Sequence, residues 1–131
     1  MAILGYDRAM TVSGWDAEDT DGGFVDELSL AGGNAVRCVG LPAALQEVPT
    51  AFARQPVAAL RGGDAAYNAA ALTGLLDGVP GAYRDAVLLN AAGAVIVADR
   101  AADWEAGIDM ARESIDSGAA RDLLARWATF Q

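Results

Sequence analysis

The 131-residue sequence contains no histidine and no lysine, because all nine of its basic residues are arginine. Without histidine, the chain cannot form a Ser/His/Asp or Cys/His catalytic arrangement, an HExxH zinc site or an imidazole pH switch. Without lysine, it has neither a Walker A phosphate loop nor a Schiff-base nucleophile. Any chemistry that the chain performs must therefore use carboxylates, arginines, backbone amides or a bound ion.

Positive charge and cysteine are also scarce. Eighteen acidic and nine basic residues give a formal net charge of −9, which argues against a nucleic-acid-binding surface. The single cysteine, Cys38, cannot form an internal disulfide, and we expect a small core residue there instead of a reactive thiol. The longest uncharged stretch, residues 86–98, is too short to cross a bilayer. We therefore predict a soluble, cytoplasmic protein.

The pattern of apolar residues predicts an α/β fold in which strands precede helices. Short apolar runs between glycine and acidic turns predict strands at residues 9–13, 27–30 and 35–39. Residues 43–60 favour no single assignment, and we interpret them as a loop with one short helix or strand. The fold class is therefore α/β, with short β-strands in the N-terminal half followed by about four packed α-helices.

Four helices are predicted after Arg61. Asp64 is a suitable N-cap for a helix over residues 65–76, and the other three are expected at residues 82–98, 104–117 and 119–129. The last helix is expected to direct Leu123, Leu124 and Trp127 inward. The helix at residues 82–98 is apolar on nearly every side, so it must be surrounded by protein. Either the chain oligomerises, or it is part of something larger.

Carboxylates are concentrated near the N-terminus. Six lie within twelve residues, next to Gly22 and Gly23: Asp16, Glu18, Asp19, Asp21, Asp26 and Glu27. Oxygen-rich loops of this kind suit Mg²⁺ or Ca²⁺, although the EF-hand register fails because it places Thr20 at the fifth position and Asp21 at the required glycine. A solvated acidic loop is the alternative. Asp26 and Glu27 are expected to open a strand, where they could share an ion completed by water and substrate phosphate.

Three polar features on the helices are interpreted as structural. Gly62, Gly63 and Asp64 precede a helix whose free amides could hold an anion, but Asp64 would itself occupy those amides. Asn68 and Asn90 lie on otherwise apolar helices, where a satisfied packing or capping role is more common than ligand binding.

Residues 60–66, 84–92 and 111–120 resemble, in this order, three motifs in the C-terminal part of anthranilate phosphoribosyltransferase. Residues 8–14 are similar to the family's strand that ends in His-Gly, with Ser13 in the place of the histidine. Residues 25–29 resemble its Leu-Asp-Glu-x-Ser motif, and Gly33 replaces a proline that follows Gly32. The resemblance implies a single, partial phosphoribosyltransferase α/β domain over residues 1–131.

In that family the acidic pair binds the magnesium that accompanies the pyrophosphate of phosphoribosyl pyrophosphate. The resemblance therefore implies that Asp26 and Glu27 are metal ligands, with Mg²⁺ as the cofactor and no catalytic residue in this chain. Phosphoribosyl pyrophosphate and anthranilate would be the substrates of the full-length enzyme.

The family's Gly-Thr-Gly-Gly-Asp phosphate loop, its Lys-His-Gly-Asn segment and its anthranilate-facing arginine are missing from the sequence. We therefore expect the chain alone to be inactive. One alternative is a non-catalytic metal-binding or interaction module, which either completes a separate N-terminal half or forms a homo-oligomer. The related pyrimidine nucleoside phosphorylases fit less well, because the three C-terminal motifs match the anthranilate enzyme better.

Overall fold

The fold consists of short strands followed by helices, as the sequence predicts. The computed structural model describes residues 5–17 and 23–130. In this part of the chain the elements are, in order, β1 (Ala9–Trp15), β2 (Phe24–Val25), β3 (Asn34–Val39), α1 (Ala65–Leu76), α2 (Ala82–Val97), α3 (Trp104–Asp116) and α4 (Ala119–Ala128). Residues 43–60 contain two short 3₁₀-helices, Ala43–Gln46 and Val57–Leu60, and no strand.

The sheet has the order β2-β1-β3, and both pairings are antiparallel. β1 pairs with β3 from Ala9 to Gly14, whereas it pairs with β2 only at Gly14 and Trp15. Within the described residues, the β2-facing edge of β1 over residues 9–13 therefore has no strand partner. The predicted strands at residues 9–13 and 35–39 are confirmed.

The predicted strand at residues 27–30 is wrong. These residues form an irregular segment, and the short strand β2 lies before them in the sequence. Leu28 and Leu30 are buried as an alternating pattern would require, but Ser29 between them is buried as well. In a strand with one covered face, Ser29 would be exposed. The segment is instead buried on both sides.

Helices α1 and α3 begin at residues whose side chains satisfy free amides, whereas α2 and α4 follow Gly81 and Gly118, which have no side chain to do so. Asp64 accepts a hydrogen bond from the backbone N–H of Tyr67 at 2.8 Å, and Asp103 accepts one from Ala106 at 2.9 Å. These local bonds compensate for the missing helical partners of the first turn. The predicted bounds of all four helices are confirmed to within about one residue.

The core lies between the sheet and helices α2 and α3. Ala92 and Ile96 of α2 are fully buried, with Val36 of β3 and Trp104 of α3 in the same apolar cluster. α3 approaches α2 closely at Gly107, where a Cβ atom would lie 3.0 Å from the Cβ of Ala92. The chain itself thus buries one face of α2, whereas Ala94 is exposed and Val95 and Val97 are only half-buried.

Helix α4 contradicts the predicted inward packing. Leu123 is 59% exposed and Trp127 is 75% exposed, and the following Phe130 is 85% exposed. Leu124 alone of the three predicted inward residues is half-buried, and Leu123 and Trp127 lie on a face that the described part of the chain leaves exposed.

None of the described helices is long and apolar enough to cross a membrane. The longest, α2, has 16 residues.

Candidate functional site

Asp26 and Glu27 lie in the bend that follows β2, and both side chains are exposed. The expectation that they open a strand is therefore wrong, because they follow one. Glu27 borders a cavity of about 230 Å³ whose other lining residues are Val25, Leu28, Ser29, Val57, Leu60 and Arg61. Glu27 is thus positioned at a small cleft between the bend and the second 3₁₀-helix, and Asp26 is its neighbour in the chain.

The segment after the acidic pair is held by two asparagine side chains. Asn90 of α2 accepts a hydrogen bond from the Leu28 N–H at 2.9 Å and donates to the Leu28 carbonyl at 2.9 Å. Asn34 likewise accepts a hydrogen bond from the Ser29 N–H at 2.7 Å and donates one to the Ser29 carbonyl at 3.0 Å. Each amide acts as a strand partner for one residue, so the segment is fixed without belonging to the sheet.

Close packing against β1 adds to this restraint. A Cβ atom at Gly14 would lie 2.8 Å from the Ser29 nitrogen and 2.9 Å from Oδ1 of Asn34, so only glycine fits there. The hydroxyl of Ser29 is buried and accepts a hydrogen bond from the Ala31 N–H at 3.0 Å. The exposed carboxylates of Asp26 and Glu27 are therefore attached to a backbone that is held on several sides.

The acidic pair suits a metal ion whose remaining coordination positions are filled by water and a bound ligand. Within residues 5–17 and 23–130, no group of three or more acidic or cysteine side chains could hold a metal ion by itself. Mg²⁺ often uses only one or two carboxylates and fills its octahedron with water and phosphate oxygens. Two adjacent, exposed carboxylates match this donor set. Glu18, Asp19, Thr20 and Asp21 of the acidic loop lie outside the described residues.

The two helical asparagines have the structural roles that the sequence predicts. Asn68 accepts a hydrogen bond from the Gly63 N–H at 2.9 Å and donates to the Gly63 carbonyl at 3.0 Å. Together with the Asp64 cap, it uses the amides that an anion would need before α1. The sequence did not reveal, however, that Asn90 contacts Leu28, because the two residues are 62 positions apart.

Cys38 is also a structural residue, as predicted. It is half-buried and packs against the main apolar cluster. Burial raises the pKa of its thiol, which keeps the side chain in the protonated form that is a poor nucleophile.

Comparison with known proteins assigns the chain to a family. Residues 4–121 match the family described as "Glycosyl transferase family, a/b domain", and the chain belongs to this family. More particularly, it is a homologue of anthranilate phosphoribosyltransferase. It is 48% identical over 130 residues to that enzyme from Erythrobacter litoralis and 46% identical over 132 residues to that from Sphingopyxis alaskensis.

The homology covers this chain almost completely but its relatives only in part. The two alignments include 96% and 98% of this chain, whereas the chain spans only 37% and 38% of the relatives' length. The resemblance seen in the sequence motifs is therefore confirmed, and the chain is a partial anthranilate phosphoribosyltransferase-like domain.

The Asn90 interaction can be tested by removing its donor. Asn90→Asp keeps the size of the side chain but removes the N–H groups that the carbonyls of Leu28 and Ala86 accept. We expect it to lower the free energy of unfolding by about 1–3 kcal/mol, measured by urea denaturation. Asn68→Asp is the control, and we expect a loss of no more than about 0.5 kcal/mol because water can replace an exposed partner. Equal losses of unfolding free energy in the two variants would contradict the claim that the buried bonds of Asn90 stabilise the fold more than the exposed bonds of Asn68.

Proposed function

We propose that the chain is the C-terminal portion of an anthranilate phosphoribosyltransferase and forms one partial α/β domain over residues 1–131. The full enzyme transfers the phosphoribosyl group of phosphoribosyl pyrophosphate to the amine of anthranilate, a cytoplasmic step of tryptophan biosynthesis. Sequence identity across nearly the whole chain supports this assignment. The observation that carries it is the exposed Asp26–Glu27 pair on a restrained backbone, in the motif that resembles the family's metal site.

In this proposal Asp26 and Glu27 hold Mg²⁺ together with oxygens of the substrate pyrophosphate. The ion, when bound, offsets negative charge on the departing pyrophosphate. The residues of the chain contribute position: Asn90 and Asn34 hold the two residues that follow the acidic pair. Such positioning lowers a reaction barrier because the reacting groups are already oriented, so the entropy cost of orienting them is not added to the barrier. The four helices are scaffold.

The metal proposal predicts a difference between two charge-matched variants. Calorimetric titration of Mg²⁺ in the presence of inorganic pyrophosphate is expected to show binding to the wild-type chain. We expect Asp26→Asn/Glu27→Gln to weaken this binding at least about tenfold, because both carboxylate ligands are lost. Glu113→Gln/Asp122→Asn removes the same charge from exposed positions on α3 and α4 and should leave the isotherm unchanged. Indistinguishable isotherms for all three proteins would show that Asp26 and Glu27 are not metal ligands.

The chain alone is expected to be inactive. It lacks the family's glycine-rich phosphate loop and the arginine that faces anthranilate, so it could contribute only part of the substrate site. We expect no phosphoribosyl transfer above background when the purified 131-residue chain is incubated with anthranilate, phosphoribosyl pyrophosphate and Mg²⁺. The full-length Erythrobacter litoralis relative serves as the positive control, and measurable transfer by the chain would contradict the proposal.

A second candidate is a non-catalytic module that associates through its open face. The unpaired edge of β1 adjoins a cavity of about 460 Å³ between β1 and α2, lined largely by apolar residues such as Met10, Val12, Gly93 and Val97. A surface of this kind suits a missing N-terminal half or a second copy of the chain. Self-association predicts a sedimentation coefficient that rises with protein concentration. A constant, monomeric value would contradict the homo-oligomeric form of this candidate.

A further inference from the structure

Arg61 and Glu27 face the same cavity although they come from different parts of the chain. Arg61 directly follows the 3₁₀-helix Val57–Leu60, and its backbone N–H donates to the Ala58 carbonyl at 3.3 Å. This hydrogen bond holds its backbone in place beside the bend that carries the acidic pair. The guanidinium is exposed and makes no ion pair with Glu27 or with any other described residue. A positively charged and a negatively charged residue therefore border one cleft without forming an ion pair, and Arg61 also borders a second cavity of about 160 Å³ beside Tyr67 and Asn68.

Arg61 has no ion-pair partner within the described residues, whereas at least half of the other eight arginines do. Four of them form ion pairs with aspartates: Arg8 with Asp99, Arg84 with Asp116, Arg112 with Asp109 and Arg121 with Asp77. In a chain with 18 acidic residues and a net charge of −9, an arginine has many potential carboxylate partners. Arg61 instead keeps its donors available at a cavity.

Charge balance at the acidic pair indicates what those donors would bind. Two carboxylates offset the two positive charges of a divalent ion, so the loaded pair has no net charge left to attract a polyphosphate. A diphosphate ligand that completes the metal site therefore needs a further cation nearby. A guanidinium meets this need because its planar fork matches two phosphate oxygens.

We propose that Arg61 is a phosphate-binding residue, which contacts the diphosphate group that completes the metal site at Asp26 and Glu27. This inference rests on the proposed function. Val57, Leu60 and Leu28 give the cleft apolar walls, and the charged residues Glu27 and Arg61 lie exposed at its rim. A charge-assisted hydrogen bond from an arginine to a phosphate is about twice as strong as one between neutral groups.

The test is calorimetric titration of inorganic pyrophosphate into the 131-residue chain with saturating Mg²⁺. We expect Arg61→Ala to raise Kd by about 10- to 100-fold, as for the loss of a hydrogen bond to a charged group. Arg61→Lys keeps the charge without the fork and should recover part of the affinity. Arg126→Ala, which removes an exposed, unpaired arginine that borders none of the cavities described above, should stay within about twofold of the wild type.

A second probe, Mn²⁺ alone followed by electron paramagnetic resonance, separates this inference from the proposed function. Mn²⁺ binding should be lost in Asp26→Asn/Glu27→Gln and retained in Arg61→Ala. If Mn²⁺ and pyrophosphate bind and Arg61→Ala has no effect, the role of Arg61 is overturned while the metal site stands. If Arg61→Ala also loses Mn²⁺, or Arg61→Lys recovers nothing, Arg61 is not a phosphate ligand. Wild-type protein that binds neither probe would overturn both proposals.

Discussion

The hydrogen bonds between Asn90 and Leu28 join the acidic bend to the core of the molecule. Leu28 is only 2% exposed, so its N–H and carbonyl cannot rely on water and need partners within the protein. Asn90 supplies both from the middle of α2, whose neighbours Leu89 and Ala92 are buried in the core. Asp26 and Glu27 directly precede Leu28, so the placement of the acidic pair depends in part on this contact.

The same arrangement explains how a strongly acidic domain could serve a phosphate-containing ligand. Asp26 and Glu27 are exposed side chains on a restrained backbone, and Arg61 approaches their cleft from a distant part of the sequence. The carboxylates suit a divalent cation, and the guanidinium suits the anion that accompanies it. Under the proposed function these groups form one side of a diphosphate-binding site, and the chain spans only 37% of the length of its Erythrobacter litoralis relative.

Sequence patterns predicted the helices well and their surroundings less well. The caps at Asp64 and Asp103 are bonds between residues three positions apart, so their effect is visible in the local sequence. The apolar face of α4 was also recognised, but periodicity does not report whether another element covers that face, and Trp127 is exposed. Likewise, alternation at residues 27–30 suggested a strand, although the backbone there bonds to asparagine side chains instead of a neighbouring strand.

By itself, the sequence determined the family and the helix boundaries, and it supplied Asp26 and Glu27 as the candidate metal ligands. Helix boundaries depend on interactions within one or two turns, and family motifs are runs of adjacent residues. Only the tertiary structure decided that Asn90 holds Leu28 and that Arg61 shares a cleft with Glu27. Both arrangements bring together residues far apart in the chain. The Asn90 contact forms because burying α2 brings its polar side chain to backbone groups of Leu28 that lack other partners.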